Sequence, residues 1–434
     1  MNVGGASVPR SSSAYQEALA WLYGTQRFGI KLGLDNMQRL VTELQIAEVA
    51  SASCRWDTGW KPVPGNSCIL HVAGTNGKGS VCAMIDAICR AQGYRTGLFT
   101  SPHLVTYRER IQLNGAMISE KDVADGLTLI RERVSSWEPH PTFFEITTAL
   151  ALLHFKERDC EVIALETGLG GRLDATNVVA PVVSVITPIG LDHQSWLGSS
   201  LQKIAGEKAG IIKPNVPVVS AAQEPAAEKV ILARAAECEA PLHFVSDSYA
   251  GPPLALAGAH QKQNASLALA ALQFGGIKIE PRAIAEGLAN VQWPARFQPW
   301  DERTIIDGAH NPAGAKVLAK TWREQFGDER ATIILAVLRD KDTAGIWRAL
   351  APIAHRAILP RARSERAATP DSIVPMISTI TPALPCSIAP SVADALQSAR
   401  DLPDRILITG SLHFAGEALA VLSGNPAAFE ECAQ

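Results

Sequence analysis

Between His71 and Ser80 the chain reads HVAGTNGKGS, three glycines and a lysine set between an apolar run and an amphipathic one. Gly74, Gly77 and Gly79 free the backbone to turn tightly and aim its N–H groups inward, and a helix opening near Lys78 adds the positive end of its dipole. Phosphate cradling is the chemistry that fits. Lys78 would reach the terminal phosphates of a nucleotide, with Thr75, Asn76, Gly77, Gly79 and Ser80 shaping the loop. The residue after the lysine is Gly79, not the Ser or Thr that ordinarily holds magnesium, so a metal oxygen must come from elsewhere. The bland alternative is a glycine-rich turn with a surface lysine.

Three other stretches end apolar runs with groups that bind hard cations. Ser101 follows TGLF in TSPHL, Glu166 follows VIAL in ETGLGGRLDATN, and Asp192 and His193 close VVSVITPIGLDH. In open α/β sheets ligands bind at the carboxyl edge, so a hydroxyl, a carboxylate and an imidazole would face the phosphate turn together. Glu166 ends a buried strand, where a charge is costly unless it is paired or bound to a cation. Ser101 is equally well explained as a Ser-Pro turn, and His193 as a structural histidine, a less usual ligand for magnesium.

Thr142 and Glu145 in PTFFEITT have the spacing of a capping box, which accounts for both; the functional reading turns that helix start toward a substrate. Gln261 and Asn264 fall at i and i+3 on one helix face, where amides can read a purine edge. Lys208, in LQKIAGEKAGII, has the ordinary reading of a solvated lysine. Asp307 and His310, in TIIDGAHNP, end the first strand of a second alternation.

The elements that must position these groups are legible in outline. A strand over 68–72, the helix VCAMIDAICRAQ stopped by Gly93 and the strand TGLF form a βαβ unit. RIQLNGAMI reads as a hairpin around Asn114-Gly115, followed by a helix from Ser119 to Val134. Residues 14–48 read as helix interrupted over Gly24 to Gly33. VPVVSAAQ is a strand and EPAAEKVILARAAECEA a helix. After WPARFQ a new strand–helix alternation begins, with helices over 312–326, near 343–351 and over 392–400 and strands ATIILAVL, RAILP and RILITG. This predicts an α/β protein of two units, 1–298 and 299–434.

A chain of 434 residues, 47% hydrophobic, can bury two or three cores. The net charge of -3, from 40 basic and 43 acidic residues, offers no field for nucleic acid or an anionic membrane, so small-molecule partners are expected. Eight scattered cysteines without a Cys-x-x-Cys pair suggest neither a zinc site nor a disulfide framework, and a cytoplasmic setting fits. MNVGGASVPRSSS lacks a signal-peptide core, and prolines break the longest uncharged runs, including 372–393.

Taken in order, HVAGTNGKGS, TSPHL, FFE, ETGLGGRLDATN, GLDH, EKAGIIKP, HQ with Asn264, WPARF, DGAHNP and TGSLHFAGEAL resemble the folylpolyglutamate synthase family, including its bifunctional dihydrofolate synthases, from about residue 28 to 420. The resemblance implies a P-loop ATP-binding domain of the Mur-ligase type followed by a smaller Rossmann-like α/β domain. It implies a ligase joining L-glutamate to dihydropteroate, to a folate or to both. An acyl phosphate would be the intermediate, with ADP and phosphate released. It implies magnesium, two ions, held through Ser101, Glu166 and His193, with a monovalent cation also allowed, and a monomer. Thr75 to Ser80 would hold the phosphates, Asn264 adenine, Arg296 the phosphates, and Asp307 and His310 the ATP from the second domain. Thr142, Phe143, Phe144 and Glu145, with Leu173, Asp174 and Ala175, would line the pterin site. Lys78, Lys208 and His310 are the expected catalytic set, Lys208 matching a lysine that is carbamylated in the family. An insertion at 51–66 departs from the pattern. Cell-wall ligases of the Mur type and a non-catalytic ATP-binding protein are the alternatives. The first would need a whole uridine-binding domain ahead of the phosphate loop, and the second leaves three converging edges unexplained.

Overall fold

The computed structural model describes residues 13–29, 31, 33–46 and 67–431; the N-terminal stretch and the 51–66 insertion lie outside the described residues. Helices α1 (Ser13–Gly24) and α2 (Asp35–Glu43) flank the glycine break. Strand β1 (Cys68–Ala73) runs through the phosphate turn into α3 (Lys78–Gln92), and β2 (Thr96–Phe99) returns. The Asn114-Gly115 turn joins β3 (Ile111–Leu113) to β4 (Ala116–Met117) with φ of +50° and +78°, the left-handed pair that a two-residue hairpin requires. Helices α4 (Glu120–Val134) and α5 (Phe143–Glu157) lead to β5 (Val162–Glu166), then β6 (Val183–Ile186), α6 (Gln194–Leu197), α7 (Leu201–Ala209), β7 (Val218–Ala221), α8 (Pro225–Glu237) and β8 (Leu242–Val245). Helices α9 (Ala259–Phe274) and α10 (Pro281–Asn290) cover one face. A Cβ on Gly287 of α10 would stand 2.6 Å from Ile88 Cα, so α10 and α3 touch backbone to backbone.

The first sheet has the order β4-β3-β2-β5-β1-β6-β7-β8, parallel from β2 to β8. The carboxyl ends of β2, β5, β1 and β6 therefore stand side by side, with the phosphate turn leaving the middle.

The second sheet is β13-β12-β11-β14-β10-β9. Its elements are β9 (Gln298–Pro299), β10 (Thr304–Ile306), α11 (Pro312–Phe326), β11 (Ala331–Leu335), α12 (Thr343–Leu350), β12 (Ala354–Pro360), α13 (Pro370–Ile380), β13 (Cys386–Ala389), α14 (Val392–Arg400), β14 (Arg405–Thr409) and α15 (Leu412–Leu422). All its pairings are parallel except the short β9–β10 one.

Four differences from the sequence reading stand out, the first three with a local cause. Helix α13 and strand β13 occupy the run that the sequence shows as broken by prolines: Pro370 sits in the first turn, where its missing N–H costs nothing, and Pro375 forfeits one internal bond while Ile373 and Ile377 still bury on one face. Strand β8, an edge whose side chains are half-buried or, at Phe244, exposed, carries little apolar signal. Strand β6 ends at Ile186, so Asp192 and His193 stand on a six-residue extension beyond the strand rather than at its tip. Cys68 is disulfide-bonded, while Cys82, Cys89, Cys160, Cys238 and Cys386 are free. No helix among the described residues is long and apolar enough to cross a membrane.

Candidate functional site

The phosphate turn is held from the β6 side. Thr75 and Asn76 donate their N–H groups to the Pro188 carbonyl at 3.0 and 3.3 Å, and the Thr75 hydroxyl bonds Gly190 in both directions. Gly77 is left-handed at φ +96°, and a Cβ there would meet Asn264 Oδ1 at 2.7 Å. Asn264 thus stands against the turn itself, its amide donating to Gln261 Oε1 at 2.9 Å, while Gln261 donates to Ser80 Oγ at 3.3 Å. The opening N–H groups of α3, from Lys78 on, have no intrahelical acceptor, which leaves them as donors for an anion.

Gly79 has a packing reason. A Cβ there would lie 2.9 Å from Trp293 Cζ2, because the chain leading to the second sheet lays this indole on the start of α3. The position that elsewhere supplies a metal hydroxyl is filled by an aromatic ring.

Lys78 Nζ stands 3.7 Å from Glu166 Oε1 and 3.4 Å from the Thr75 carbonyl. Glu166 Oε2 accepts the Ser101 N–H at 3.2 Å. Burial pushes the Glu166 carboxyl up, against the pull of Lys78, the Ser101 N–H and Arg296. His193 is exposed and left-handed at the head of α6, and no hydrogen bond joins it to Ser101 or Glu166. Among the described residues no group of three or more His, Cys, Asp or Glu forms a metal cage. One carboxylate and one hydroxyl beside a phosphate site is nevertheless the donor set that suits magnesium, which keeps its waters and takes the remaining ligands from substrate phosphates.

Lys208 is not on a solvated face. It is buried, and its Nζ donates to the Gly74 carbonyl at 2.7 Å, directly beneath the phosphate turn. Burial, then Lys78, pushes its ammonium down to about 7. Gly171 lets the following turn approach, since a Cβ there would sit 2.8 Å from the Glu207 and Lys208 carbonyls.

The second sheet's edge faces the first. Asp307 accepts the N–H groups of Phe297 and Ala309 at 2.8 and 2.9 Å. Burial lowers Arg296 while Asp307 and Glu166 oppose that shift, so the guanidinium lies between one acid from each sheet. His310 Nδ1 donates to the Gly308 carbonyl at 2.9 Å, turning Nε2 toward Asp192 Oδ2 at 3.5 Å. Asn311 donates to Asn76 Oδ1 at 3.1 Å and to Asp192 Oδ2 at 3.2 Å, and Asn76 donates back at 3.4 Å. Lys341 Nζ reaches Asp192 Oδ1 at 2.5 Å, both side chains only 7% exposed. Burial opposes ionisation of Asp192, but His310, His193 and Lys341 outweigh it and hold the carboxyl well below the usual carboxylate range.

On the far side of β5, Thr142 and Glu145 close the capping box completely, Glu145 Oε2 accepting the Thr142 N–H at 2.7 Å and Thr142 Oγ1 the Glu145 N–H at 3.3 Å. Phe143 stacks on Tyr23 at 5.6 Å, and Phe144 covers Gly168, whose Cβ would meet its ring at 2.4 Å. Asp174 accepts from Leu169 N at 2.7 Å and from Thr176 Oγ1 at 2.5 Å, and Thr176 bonds His71 Nε2 at 2.8 Å. The turn carrying Leu173, Asp174 and Ala175 is thus fixed to both β1 and α5.

Sequence reading left Lys341, Asn311 and Trp293 without a role and named Asp192 without giving it one. The edge rule that selects Asp307 also selects Lys341, which follows β11 in LRDKD. Trp293 carries no signal short of its contact with Gly79.

Residues 72–248 match the Mur ligase middle domain, and residues 295–412 match the Mur ligase, glutamate ligase domain. The chain is 34% identical to a Bacillus subtilis dihydrofolate synthase/folylpolyglutamate synthase, over 93% of this chain and 97% of that one. It superposes on Escherichia coli FolC in complex with DHPP and ADP with a TM-score of 0.81, at 30% identity over 96% and 99% of the two chains. A Yersinia pestis bifunctional folylpolyglutamate synthase/dihydrofolate synthase complexed with AMPPNP and Mn ion gives 0.81, at 29% identity over 96% and 100%.

Proposed function

The chain belongs to the dihydrofolate synthase/folylpolyglutamate synthase family of ATP-dependent glutamate ligases, and from that premise we propose how its two facing sheet edges divide the reaction. Its fold is that of the Mur ligases, an ATP-binding domain followed by a C-terminal sheet domain. We take the working units to be 1–298, holding ATP and the pterin compound, and 299–434, closing over ATP and receiving glutamate. The observation that carries this is the meeting of the two edges through Asn76–Asn311 and Asp192–Lys341, directly beside the phosphate turn.

A substrate carboxylate takes the γ-phosphoryl group, and the glutamate amine then attacks the acyl phosphate and expels phosphate. Little covalent work falls to the protein; positioning and charge carry the catalysis. Lys78 and the N–H groups of α3 take the phosphate charge. Ser101 and Glu166 would hold the metal, with His193 as the third expected ligand. The metal, when bound, neutralises charge on the phosphoryl oxygens. Arg296 sits where the transferred group passes between Glu166 and Asp307. Asp174 and Phe144 hold the pterin, and the closed capping box makes Thr142 and Glu145 supports for Phe143 and Phe144. Asn264 supports the turn at Gly77, its amide tied to Gln261, and would meet adenine only by releasing that bond. His310 is oriented by Gly308 and Asp192. Lys208 is the residue to be carbamylated and to serve a second metal ion. Dihydropteroate and reduced folates are both admitted as acceptors, and the enzyme acts as a monomer.

The test is phosphate release from purified protein with ATP and magnesium, which should require both glutamate and either dihydropteroate or tetrahydrofolate, with the product read by mass. Release without glutamate would oppose the ligase assignment. For the clamp, Arg296→Ala should weaken ATP binding by roughly ten- to a hundredfold, the value of a charge-assisted contact of about 1.5–3 kcal/mol, as measured by calorimetry with magnesium present. Wild-type affinity would place Arg296 outside the nucleotide site.

A further inference from the structure

The loop after β2, residues 100–106, carries Ser101, and the second domain grips it from two directions. Leu104 is buried in that domain's apolar cluster with Phe414, Ala415, Ala418 and Leu419. Helix α15 comes so close that a Cβ on Gly416 would lie 1.8 Å from the Leu104 carbonyl oxygen.

Beyond α15 the chain turns back and Glu430 fastens to the same loop. Its N–H donates to the Val105 carbonyl at 2.8 Å, and its own carbonyl accepts from His103 Nε2 at 2.9 Å. Arg110 Nε donates to His103 Nδ1 at 2.8 Å, which leaves Nε2 as the donor toward Glu430. The Glu430 carboxylate accepts from Tyr107 N at 2.6 Å, Thr106 Oγ1 at 3.0 Å and Tyr15 Oη at 3.2 Å. Glu109 braces the loop from within, accepting the N–H groups of Leu104, Val105 and Thr106 at 2.7 to 2.9 Å.

A tail that only stabilised its own domain would have no reason to half-bury a carboxylate on the other sheet's loop, because even partial desolvation of that charge is unfavourable. This tail commits backbone and side chain to residues 103–107, starting two residues after Ser101. We propose that Glu430 is a positioning residue for Ser101: by tying residues 103–107 to the second domain it sets where the Ser101 hydroxyl stands against Glu166. The second domain and the Ser101 loop then move as one body, and the metal oxygens come together only when that domain is docked. The inference rests on the reading of Ser101 as a metal ligand.

The experiment compares the full-length protein with Glu430→Ala, Glu430→Gln and Ser101→Ala. In metal-free protein, hydrogen exchange over residues 100–107 should quicken at least about tenfold in Glu430→Ala. Manganese binding with ADP present, followed by electron paramagnetic resonance, should weaken about tenfold, as for loss of a support behind a ligand, with Glu430→Gln intermediate. Loop exchange and manganese affinity unchanged in Glu430→Ala, with weaker binding in Ser101→Ala, would overturn the positioning role and leave the metal reading standing. Unchanged affinity in Ser101→Ala would overturn the metal reading and the proposal with it. If Glu430→Ala does not fold, Glu430→Gln decides on the same two readouts.

Discussion

Lys78→Ala should lower turnover by at least ~100-fold while the protein stays folded, the size expected when one preorganised charge contact to the transition state is lost. Lys78 is placed for that loss to be kinetic. It opens α3 at the phosphate turn, only 16% exposed, with Glu166 at 3.7 Å as its nearest acid. Removing the ammonium leaves Glu166 with the Ser101 N–H and Arg296 as its remaining support, and a carboxyl already raised by burial can take up a proton rather than break the core. The check is single-turnover phosphate release alongside a melting curve. Near-normal turnover would remove Lys78 from the phosphate site, and a collapsed melting curve would mark it as structural.

Lys208→Ala should abolish most activity, and acetate should restore part of it by filling the vacated space with a carboxylate. An ammonium beneath a metal and phosphate site, beside Lys78, is an unfavourable charge, whereas a neutral amine reacts with carbon dioxide to give an anion. The attraction of that anion to a cation about 4 Å away is worth on the order of 4 kcal/mol at an effective dielectric of 20, and it replaces a repulsion of similar size. The amine is set up for that reaction, since it releases its proton near pH 7 rather than at its ordinary 10.5.

The same shift fixes a sign. Between pH 7 and 10.5 the unfolded chain holds this proton and the folded chain does not, so Lys208's unfavourable contribution is largest below pH 7 and fades as pH rises through that window. Lys208→Met should therefore flatten the rise in stability with pH, measured by denaturant unfolding. Intact mass in bicarbonate showing no added carbon dioxide, together with an active Lys208→Ala, would dispose of the carbamate.

What the sequence disclosed follows from which signals are local. The phosphate turn, the Asn114-Gly115 hairpin, the Thr142 capping box and the positions of Ser101, Glu166 and Asp307 at strand ends rest on spacings of a few residues, and each stands where its spacing indicates. Helix α13 was hidden because prolines were weighed as breakers without regard to which backbone bond each removes. The Asp192–Lys341 pair spans 149 residues and Glu430–Thr106 spans 324, so no window of sequence contains either partner's reason. The burial of Lys208 has the same origin: α7 alone shows a lysine on a short helix, and its burial comes with a partner 134 residues away, the Gly74 carbonyl of the phosphate turn.

The indole over Gly79 has a historical side. A hydroxyl beside the phosphate-loop lysine and an aromatic ring at position 293 occupy the same space, so neither position can drift while the other stands. Were a hydroxyl to stand at residue 79, the ring at 293 would have to be lost in the same step, and on the reading proposed above that is why the metal oxygen is sought at Ser101. The contact binds two distant positions into a single unit of change.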